Sequence, residues 1–561
     1  MSFARLVLCS IRYDFDDRSS KPRATKQDGH KHLSGLDEAV VKNIEACREL
    51  SKIARTSLGP NGMNKMVINH LEKLFVTSDA AVIMRELEVA HPAARVAVMA
   101  AEAQEREVGD GTNFVVSFAG ELLGLAEELI RDGLHPSEIR DGYQKALEKC
   151  LEWLKEELAI EGSETMNLRD KEEVAKRLKG TLSSKQNGYE EQLANIVAEA
   201  CVDVCPKNAK NFNVEDVRTA KIVGGNINDV KTIHGMVIRR NVEGSVRHCE
   251  NAKVAVFGCA VDTQATETKG TVLIQSGKEL EEYSKGEEQQ VEKYIDEIDE
   301  SGCKVVFTGQ SFGDLALHFL ERKKIMAVKI PSKFELRRIC KATNSTTLIK
   351  LGKPKPDELG YASKIDVVEI GDAKVLVLKQ DDASRVSTII LRGATANAMD
   401  DLERAMDDGV NAYKALTRDS RAVPAGGATE IALAKRLSDY AKTQTGLDQY
   451  AIQKFAQALE LVPRTLAENA GLDATSVIAS LYAAHSSSNE NNSINNRMGV
   501  DVSGDQETID LFETSGIVDL LEVKHWALKL AVDAARTVLR VDQIIMSKQA
   551  GGPGPNDPRA G

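Results

Sequence analysis

The sequence predicts a multidomain protein of mixed α and β structure (α+β/α), in which one chain builds both a helical part and an α/β part. Three observations support this prediction. The chain has 561 residues, enough for several domains at roughly 100–200 residues each. Its apolar residues recur at helical spacing in two outer zones and form short strand-like runs in a middle zone. Aromatic residues make up only 4% whereas glycines number 40, which favours helices packed through small side chains.

Composition excludes several classes of protein. The formal net charge of −12 and the scarcity of aromatic residues count against a nucleic-acid-binding protein, because such proteins usually present a basic surface and stacking aromatic rings. No apolar run reaches the roughly 18 residues that a membrane span needs, so we expect no membrane partner. Nine scattered cysteines without a C-x-x-C motif fit the reducing cytosol.

Both ends of the chain are predicted to be disordered. Residues 1–32 are rich in Lys, Arg, Asp and Ser, which is typical of a disordered arm. Asp14, Asp16 and Asp17 disfavour a mitochondrial presequence, since such segments are poor in acidic residues. The tail at 551–561, GGPGPNDPRAG, is a Gly/Pro-rich segment.

The order of the zones allows two architectures. Helical patterns occupy about 33–220 and 395–548, whereas 221–392 contains strand-like runs such as KVAVFG at 253–258 and STIILR at 387–392. The zones could be three successive domains. Alternatively, an α/β domain could be inserted into a helical domain built from both ends, which is physically easy because the termini of a domain usually lie close together. The periodicity by itself leaves both architectures open.

One motif indicates a hydrolase. The segment 309–313, GQSFG, matches the G-x-S-x-G nucleophile motif and follows a strand-like run. Its partners are poor, because His318 lies on the following helical stretch and His485 and His525 lie in the distant helical zone. A serine hydrolase with Ser311 as nucleophile is therefore a weak alternative.

Acidic and Gly-rich turns are stronger signals. The run LGPNG at 58–62 ends a helical stretch, and EVGDGT at 107–112 places Asp110 between two glycines before another helical stretch. Backbone amides at such a helix start can hold a phosphate, and a carboxylate there could bind Mg²⁺, which prefers carboxylate and phosphate oxygens. Asp79 and Asp408 are two further acidic candidates. Each feature alone also fits an ordinary helix cap or a solvated helix residue.

Taken together, these turns and other strings resemble the group II chaperonins, in the order in which that family has them. The resemblance covers about residues 33–550. The strings that carry it are LGPNGMNKMV (58–67), EVAHPAAR (88–95), EVGDGTN (107–113), FAGELL (118–123), LSSK (182–185), ETKGTVLI (267–274), LRGAT (391–395), VPAGGATEI (423–431) and RVDQII (540–545).

The resemblance implies the chaperonin fold with nested domains. A helical equatorial ATPase domain would take both ends of the chain, a small intermediate domain would act as a hinge, and an inserted α/β apical domain would carry a helical lid protrusion. The apical face would bind unfolded chains, in part through the helix after Gly313. The implied ranges are 33–160 and 410–550 for the equatorial domain, 161–221 and 381–409 for the intermediate domain, and 222–380 for the apical domain, with the protrusion at about 268–302.

The resemblance also implies ATP or ADP with Mg²⁺ as cofactors. Asp110 would bind the Mg²⁺, and Lys185 would sense the γ-phosphate. Asp408 and Asp79 would be the catalytic carboxylates, because attack on a γ-phosphate needs a positioned water as well as charge neutralisation. The other implied nucleotide-binding residues are Leu58, Gly59, Pro60, Gly109, Gly111, Thr112, Asn113, Gly426, Gly427 and Asp542.

The sequence departs from the family pattern near this site. Residues Asn64, Ala80, Val82, Asn113 and Ala425 replace the usual Asp, Gly, Thr, Thr and Gly. The retained carboxylates predict ATP binding with slow hydrolysis. The resemblance implies a cytosolic complex of two stacked rings with eight subunits each, in which seven paralogous subunits are the partners. Its clients would be unfolded proteins such as cytoskeletal proteins. The alternative is a nucleotide-binding scaffold subunit with little turnover.

Overall fold

The computed structural model describes most of the chain between residues 36 and 544. The predicted N-terminal arm at 1–32, the predicted tail at 551–561 and the first part of the predicted protrusion lie outside the described residues. In the described part of the chain, no helix is long and apolar enough to cross a membrane. The described residues are 36–160, 166–262, 276–371, 373–380, 385–486, 496–504 and 506–544.

The first part of the chain forms helices and one β-hairpin. The hairpin strands pair in antiparallel fashion, with Lys65 opposite Thr77. The elements are α1 (Leu36–Arg55), β1 (Lys65–Ile68), β2 (Leu74–Thr77), α2 (Ala80–Glu86), α3 (Pro92–Glu107), α4 (Thr112–Arg131) and α5 (Pro136–Glu156).

The middle part alternates helices and strands. It contains the strand-like runs that the sequence predicted between residues 221 and 392, and the prediction of mixed α and β structure is confirmed. The elements are α6 (Lys171–Ser183), α7 (Glu190–Val204), β3 (Val217–Val223), β4 (Lys231–Ile238), β5 (His248–Phe257), α8 (Gly277–Glu300), β6 (Cys303–Thr308), α9 (Asp314–Arg322), β7 (Met326–Lys329), α10 (Lys333–Thr343), β8 (Thr347–Leu348), β9 (Gly360–Ile370), β10 (Ala373–Lys379), β11 (Ser387–Gly393) and α11 (Ala396–Arg418).

The last part is helical again, with short strands between the helices. Strand β12 pairs with β15, and β13 pairs with β14, both in antiparallel fashion. The elements are β12 (Ala422–Pro424), α12 (Ala428–Thr443), α13 (Asp448–Leu459), α14 (Leu461–Asn469), α15 (Ala474–Ser486), β13 (Met498–Val500), β14 (Thr508–Asp510), α16 (Leu511–Ser515), β15 (Val518–Leu520) and α17 (Leu521–Val538).

The chain divides into two compact units, and both are discontinuous. Unit 1 contains the residues up to Met166, the segment Lys179–Gly188 and the chain from Arg418 onward. Unit 2 contains Asn167–Leu178 and Tyr189–Thr417. The division into equatorial, intermediate and apical domains stays a prediction, and its boundary between residues 409 and 410 falls inside helix α11.

The core of unit 1 joins helices from the two ends of the chain. Phe455 on α13 makes edge-to-face contacts with Phe118 on α4 and Tyr143 on α5, at ring-centroid distances of 5.6 and 5.8 Å. The buried Tyr143 hydroxyl donates a hydrogen bond to the carbonyl of Leu122 at 2.9 Å, so this ring is buried without an unpaired polar group. Burial of these rings makes a large contribution to holding the two ends together.

Small residues let the helices of this core approach closely, as the composition suggested. A Cβ at Gly120 of α4 would lie 2.2 Å from the Cβ of Ser51 on α1. A Cβ at Gly142 of α5 would lie 2.5 Å from the Cβ of Ala451 on α13. Both glycines are therefore required by packing, since real Cβ atoms cannot come so near.

Unit 2 is built on one mixed sheet with the strand order β3-β11-β4-β10-β9-β5-β6-β7, and β8 also pairs with β5. Strands β5, β6 and β7 are parallel, while β9, β10 and β4 pair in antiparallel fashion. The predicted runs do not include β3, β4 or β9. Strands β3 and β9 mix buried residues with half-buried and exposed ones instead of forming a continuous apolar run.

The GQSFG segment is a turn between β6 and α9. The carbonyl of Ser311 accepts a hydrogen bond from the amide of Val261 at 3.0 Å, and the amide of Gly313 donates to the carbonyl of Val261 at 3.0 Å. The exposed Ser311 has no side-chain hydrogen bond to a histidine within the described ranges, and His485 and His525 belong to unit 1. This geometry gives the hydrolase alternative no support.

The close packing of α4 on α1 predicts a difference between two glycines of one helix. Gly120→Ala should lower the free energy of unfolding by about 1–3 kcal/mol, because its methyl group overlaps Ser51. Gly124→Ala is the matched control, since the nearest atom to its Cβ is 3.8 Å away. It should be neutral or stabilising by up to about 1 kcal/mol. Urea unfolding of unit 1 measures both, and equal effects would contradict the packing argument.

Candidate active site

A cavity in unit 1 collects residues from distant parts of the sequence. They come from the end of α1, the turn after β2, the start of α4, the end of α6, and from α14, β15 and α17. The lining residues are Ser57, Leu58, Gly59, Ser78, Asp110, Gly111, Thr112, Asn113, Phe114, Gly180, Thr181, Ser184, Lys185, Val462, Asp519, Leu520, Val523, Lys524 and Ala527.

The start of helix α4 gives the cavity an anion-binding end. Gly111 caps the helix in the left-handed conformation, with φ of 81°, and no side chain caps the first turn. The amide groups of Thr112 and Asn113 have no partner within the helix, because the first amides of an α-helix lack one. Such amides, together with the helix dipole, favour a bound anion such as a phosphate.

The turn at Gly59 brings the first part of the chain against the last part. Gly59 has φ of 83°, and a Cβ there would lie 2.4 Å from Cδ2 of Leu466 on α14. Only glycine tolerates both conditions. The Nδ2 of Asn469 donates to the carbonyl of Leu58 at 2.8 Å, which fixes the turn from the other side.

Asp79 lies behind the cavity wall, where Thr112 and Lys185 contact its carboxylate. Its Oδ1 accepts a hydrogen bond from Thr112 Oγ1 at 3.0 Å and lies 3.3 Å from Lys185 Nζ. Burial alone would raise the pKa of Asp79, but the charge of Lys185 and these hydrogen bonds hold it below its usual value. Asp79 is therefore an ionised carboxylate next to the cavity.

Asp110 is in a different electrostatic setting. Burial raises the pKa of its carboxyl above the usual value, although Lys185, the amide of Gly111 and the side chain of Thr181 oppose the shift. Its Oδ1 accepts a hydrogen bond from Gly111 at 2.6 Å. A cation beside it would favour the charged form. A desolvated carboxylate at an anion-binding helix start fits a magnesium ion bound together with phosphate oxygens.

Two lining residues, Lys524 and Asp519, belong to an ion-pair network that no sequence motif indicated. Lys524 Nζ pairs with Glu430 and with Asp519, the latter at 3.1 Å. It also lies 5.5 Å from the ring centroid of Phe114. Glu430 is only 2% exposed, so Lys524 is the ion-pair partner of a carboxylate that is shielded from water. A single Lys in a helical stretch carries no signal of this kind, and only the fold brings the three elements together.

Most of the predicted nucleotide-binding residues are in or beside this cavity. Pro60 and Gly109 adjoin the lining without being part of it. Gly427 caps α12 and packs on Pro463, the neighbour of the lining residue Val462, and Gly426 precedes it. The predicted residues that line the cavity are Leu58, Gly59, Asp110, Gly111, Thr112, Asn113 and Lys185.

Two predicted residues lie elsewhere. Asp408 is on helix α11 of unit 2. Asp542 is exposed in the segment after α17 and is not among the lining residues. The nucleotide roles of both stay predictions.

The ion pair of Lys524 with the buried Glu430 predicts a large effect on stability. Lys524→Met should lower the free energy of unfolding by about 3–5 kcal/mol, because Glu430 would keep a buried and unpaired charge. Lys454→Met is the control, since its partner Glu128 is exposed, and it should cost no more than about 1 kcal/mol. Denaturant unfolding measures the unfolding free energy of both variants. A loss in Lys524→Met no larger than that in Lys454→Met would contradict the prediction.

Comparison with known proteins gives the same family across the chain. The model of the TCP-1/cpn60 chaperonin family matches residues 50–549. T-complex protein 1 subunit theta of Arabidopsis thaliana is 55% identical over 528 residues, 94% of each chain. The Homo sapiens protein of that name is 50% identical over 530 residues, and the Dictyostelium discoideum protein is 49% identical over 533, each match covering 94% of this chain and 95% and 97% of the relative. These matches show that the chain belongs to the TCP-1/cpn60 chaperonin family.

Proposed function

We propose that this protein is an ATP-hydrolysing subunit of a hetero-oligomeric chaperonin, which binds and encloses unfolded proteins and folds them through ATP-driven closure. One observation carries the proposal. The uncapped start of α4, the half-buried Asp110 and the Lys185–Asp79 pair meet around one cavity. Free amides, a carboxylate and a lysine are the groups that a magnesium-bound triphosphate needs.

The binding step uses groups that are already in place. The amides of the first turn of α4 and the turn at Gly59 would hold phosphate oxygens, and Lys185 would balance their charge. Asp110 would hold Mg²⁺, which supplies charge neutralisation at the phosphates when it is bound. Asp519 and Lys524 also line the cavity.

The hydrolytic step needs a water molecule aligned with the γ-phosphorus. Its oxygen forms the new bond to phosphorus as the bond to the ADP oxygen breaks, and its proton passes to a base or to the released phosphate. Asp79 is ionised and fixed, so it can accept a hydrogen bond from that water. Asp408 keeps the role that the family resemblance implies, which is to orient the water.

Unit 2 offers a surface for unfolded chains. The carboxyl ends of parallel strands lie on one edge of a sheet, and the segments after β6, β7 and β8 follow that edge. They expose Leu315 (44%), Phe334 (74%) and Ile349 (84%). Exposed apolar side chains of this size mark an interaction surface, and an unfolded polypeptide is the partner that we infer for it.

Unit 1 offers a surface for a neighbouring subunit. The β1–β2 hairpin and its flanks expose Met63 (69%), Met66 (69%) and Leu71 (72%). A two-stranded hairpin is marginally stable alone, so a partner that covers these side chains would also stabilise it. The eight-membered double ring, the seven paralogous partners, the cytoskeletal clients and the cytosolic location stay predictions.

The proposal predicts turnover that can be assigned to this subunit alone. Complexes are incubated with an azido-ATP photoprobe labelled on either the α- or the γ-phosphate, then irradiated, and the subunits are separated. The wild-type subunit should keep the α-label and lose the γ-label with time. Asp408→Ala should keep both, with hydrolysis slowed by about 100-fold or more. Asp110→Ala should take up neither label, because Mg²⁺ binding is lost.

The same experiment tests the two alternatives. A wild-type subunit that keeps the γ-label as long as the α-label would be a scaffold subunit with little turnover. Ser311→Ala is the control and should behave as wild type. An esterase activity of the complex that disappears in Ser311→Ala would favour the hydrolase.

The hairpin surface predicts a defect of assembly. Met66→Glu places a charge on the apolar hairpin and should greatly reduce incorporation of this subunit into the complex, measured by co-purification with the other subunits. Met99→Glu is the matched control, since Met99 on α3 is 66% exposed outside the hairpin. Equal incorporation of both variants would contradict the assignment of the hairpin as the assembly surface.

A further inference from the structure

We propose that Asn113 is a positioning residue. Its side chain fixes two turns, the phosphate-binding turn at Gly59 and the turn that carries the catalytic Asp79. The inference rests on the proposed ATPase function and assigns a specific role to one of the departures from the family pattern. Asn113 is the second residue of α4 and lines the cavity.

The carboxamide of Asn113 is bound on both of its ends by the protein. Its Oδ1 accepts a hydrogen bond from the amide of Ala80 at 2.7 Å. Its Nδ2 lies 3.0 Å from the carbonyl of Ser57 and 3.1 Å from the carbonyl of Ser78. The hydroxyl of Ser57 is a further acceptor within reach, at 3.2 Å.

These contacts surround Asp79 and the Gly59 turn. Ser78 and Ala80 are the neighbours of Asp79 in sequence, so one carboxamide fixes the backbone on both sides of the catalytic carboxylate. The contact with Ser57 fixes the residue that leads into the turn at Gly59. The helix that provides the phosphate-binding amides therefore also sets the distance between the two turns.

Asparagine is suited to this role by its hydrogen-bonding groups. A carboxamide offers two N–H donors and one acceptor on a planar group, and here both kinds of group are used. A threonine hydroxyl has a single donor, so it cannot donate to the Ser57 and Ser78 carbonyls at once. An aspartate has the same shape but no donor, and its charge would face two carbonyl oxygens. Because the carboxamide is engaged, Asn113 would contact a phosphate through its backbone amide.

The photoprobe experiment on the assembled complex tests this role. In Asn113→Ala, loss of the γ-label should slow by about tenfold, the effect of roughly 1.4 kcal/mol in the transition state. Occupancy, reported by the α-label at saturating probe, should change by less than about threefold, because the phosphate-binding amides belong to the backbone. Asn113→Asp should be at least as slow, and Asn113→Thr should be intermediate.

The controls separate positioning from stability. Asn208→Ala removes a capping asparagine from unit 2, and it should hydrolyse the probe at the wild-type rate. If Asn113→Ala fails to assemble, Asn113→Thr carries the test, and wild-type hydrolysis by this variant would overturn the proposal. Equal losses of occupancy and rate in Asn113→Ala would also overturn it, since they indicate a direct contact with nucleotide. If the wild-type subunit takes up no α-label, the proposed function and the role of Asn113 are both wrong. If the wild-type subunit hydrolyses the probe and Asn113→Ala hydrolyses it equally fast, only the role of Asn113 is wrong.

Discussion

The position of helix α4 is the constraint on which the rest of the site depends. Its first turn presents uncapped amides to the cavity, while most of its length is buried in the core of unit 1. Phe118 packs on Phe455 from the far end of the chain. Because Gly120 has no side chain, Ser51 of α1 packs directly against the backbone of α4. Tertiary packing rather than capping stabilises this helix. Its first amides can therefore stay unpaired and available to a ligand.

The two carboxylates at the cavity lie in different electrostatic environments. Both are desolvated, but the charge of Lys185 and the hydroxyl of Thr112 hold the pKa of Asp79 below its usual value, whereas burial dominates at Asp110 and raises its pKa. The first carboxylate needs no further partner to stay charged. The second gains most from a cation, and this is the division expected between a group that orients water and a group that binds metal.

The departures from the family pattern are easier to understand in the structure than in the sequence. Ala80 and Asn113 looked like losses of a flexible residue and a hydroxyl. The side chain of Asn113 accepts a hydrogen bond from the backbone amide of Ala80 at 2.7 Å, whereas nothing in the structure explains the alanine side chain itself. The carboxamide fixes the backbone beside Asp79, so the site of this subunit has its own arrangement of supporting hydrogen bonds.

The sequence by itself determined the fold class, the family resemblance and seven of the nineteen residues that line the cavity, because periodicity and ordered motifs are local properties of the chain. It identified the strands with continuous apolar runs, such as β6, but not β9, whose polar face interrupts the pattern. Only the tertiary structure brought Lys524, Glu430 and Asp519 together and showed what Asn113 contacts. These interactions join residues that are far apart in the chain, and their geometry follows from how the helices pack, which no local pattern of residues encodes.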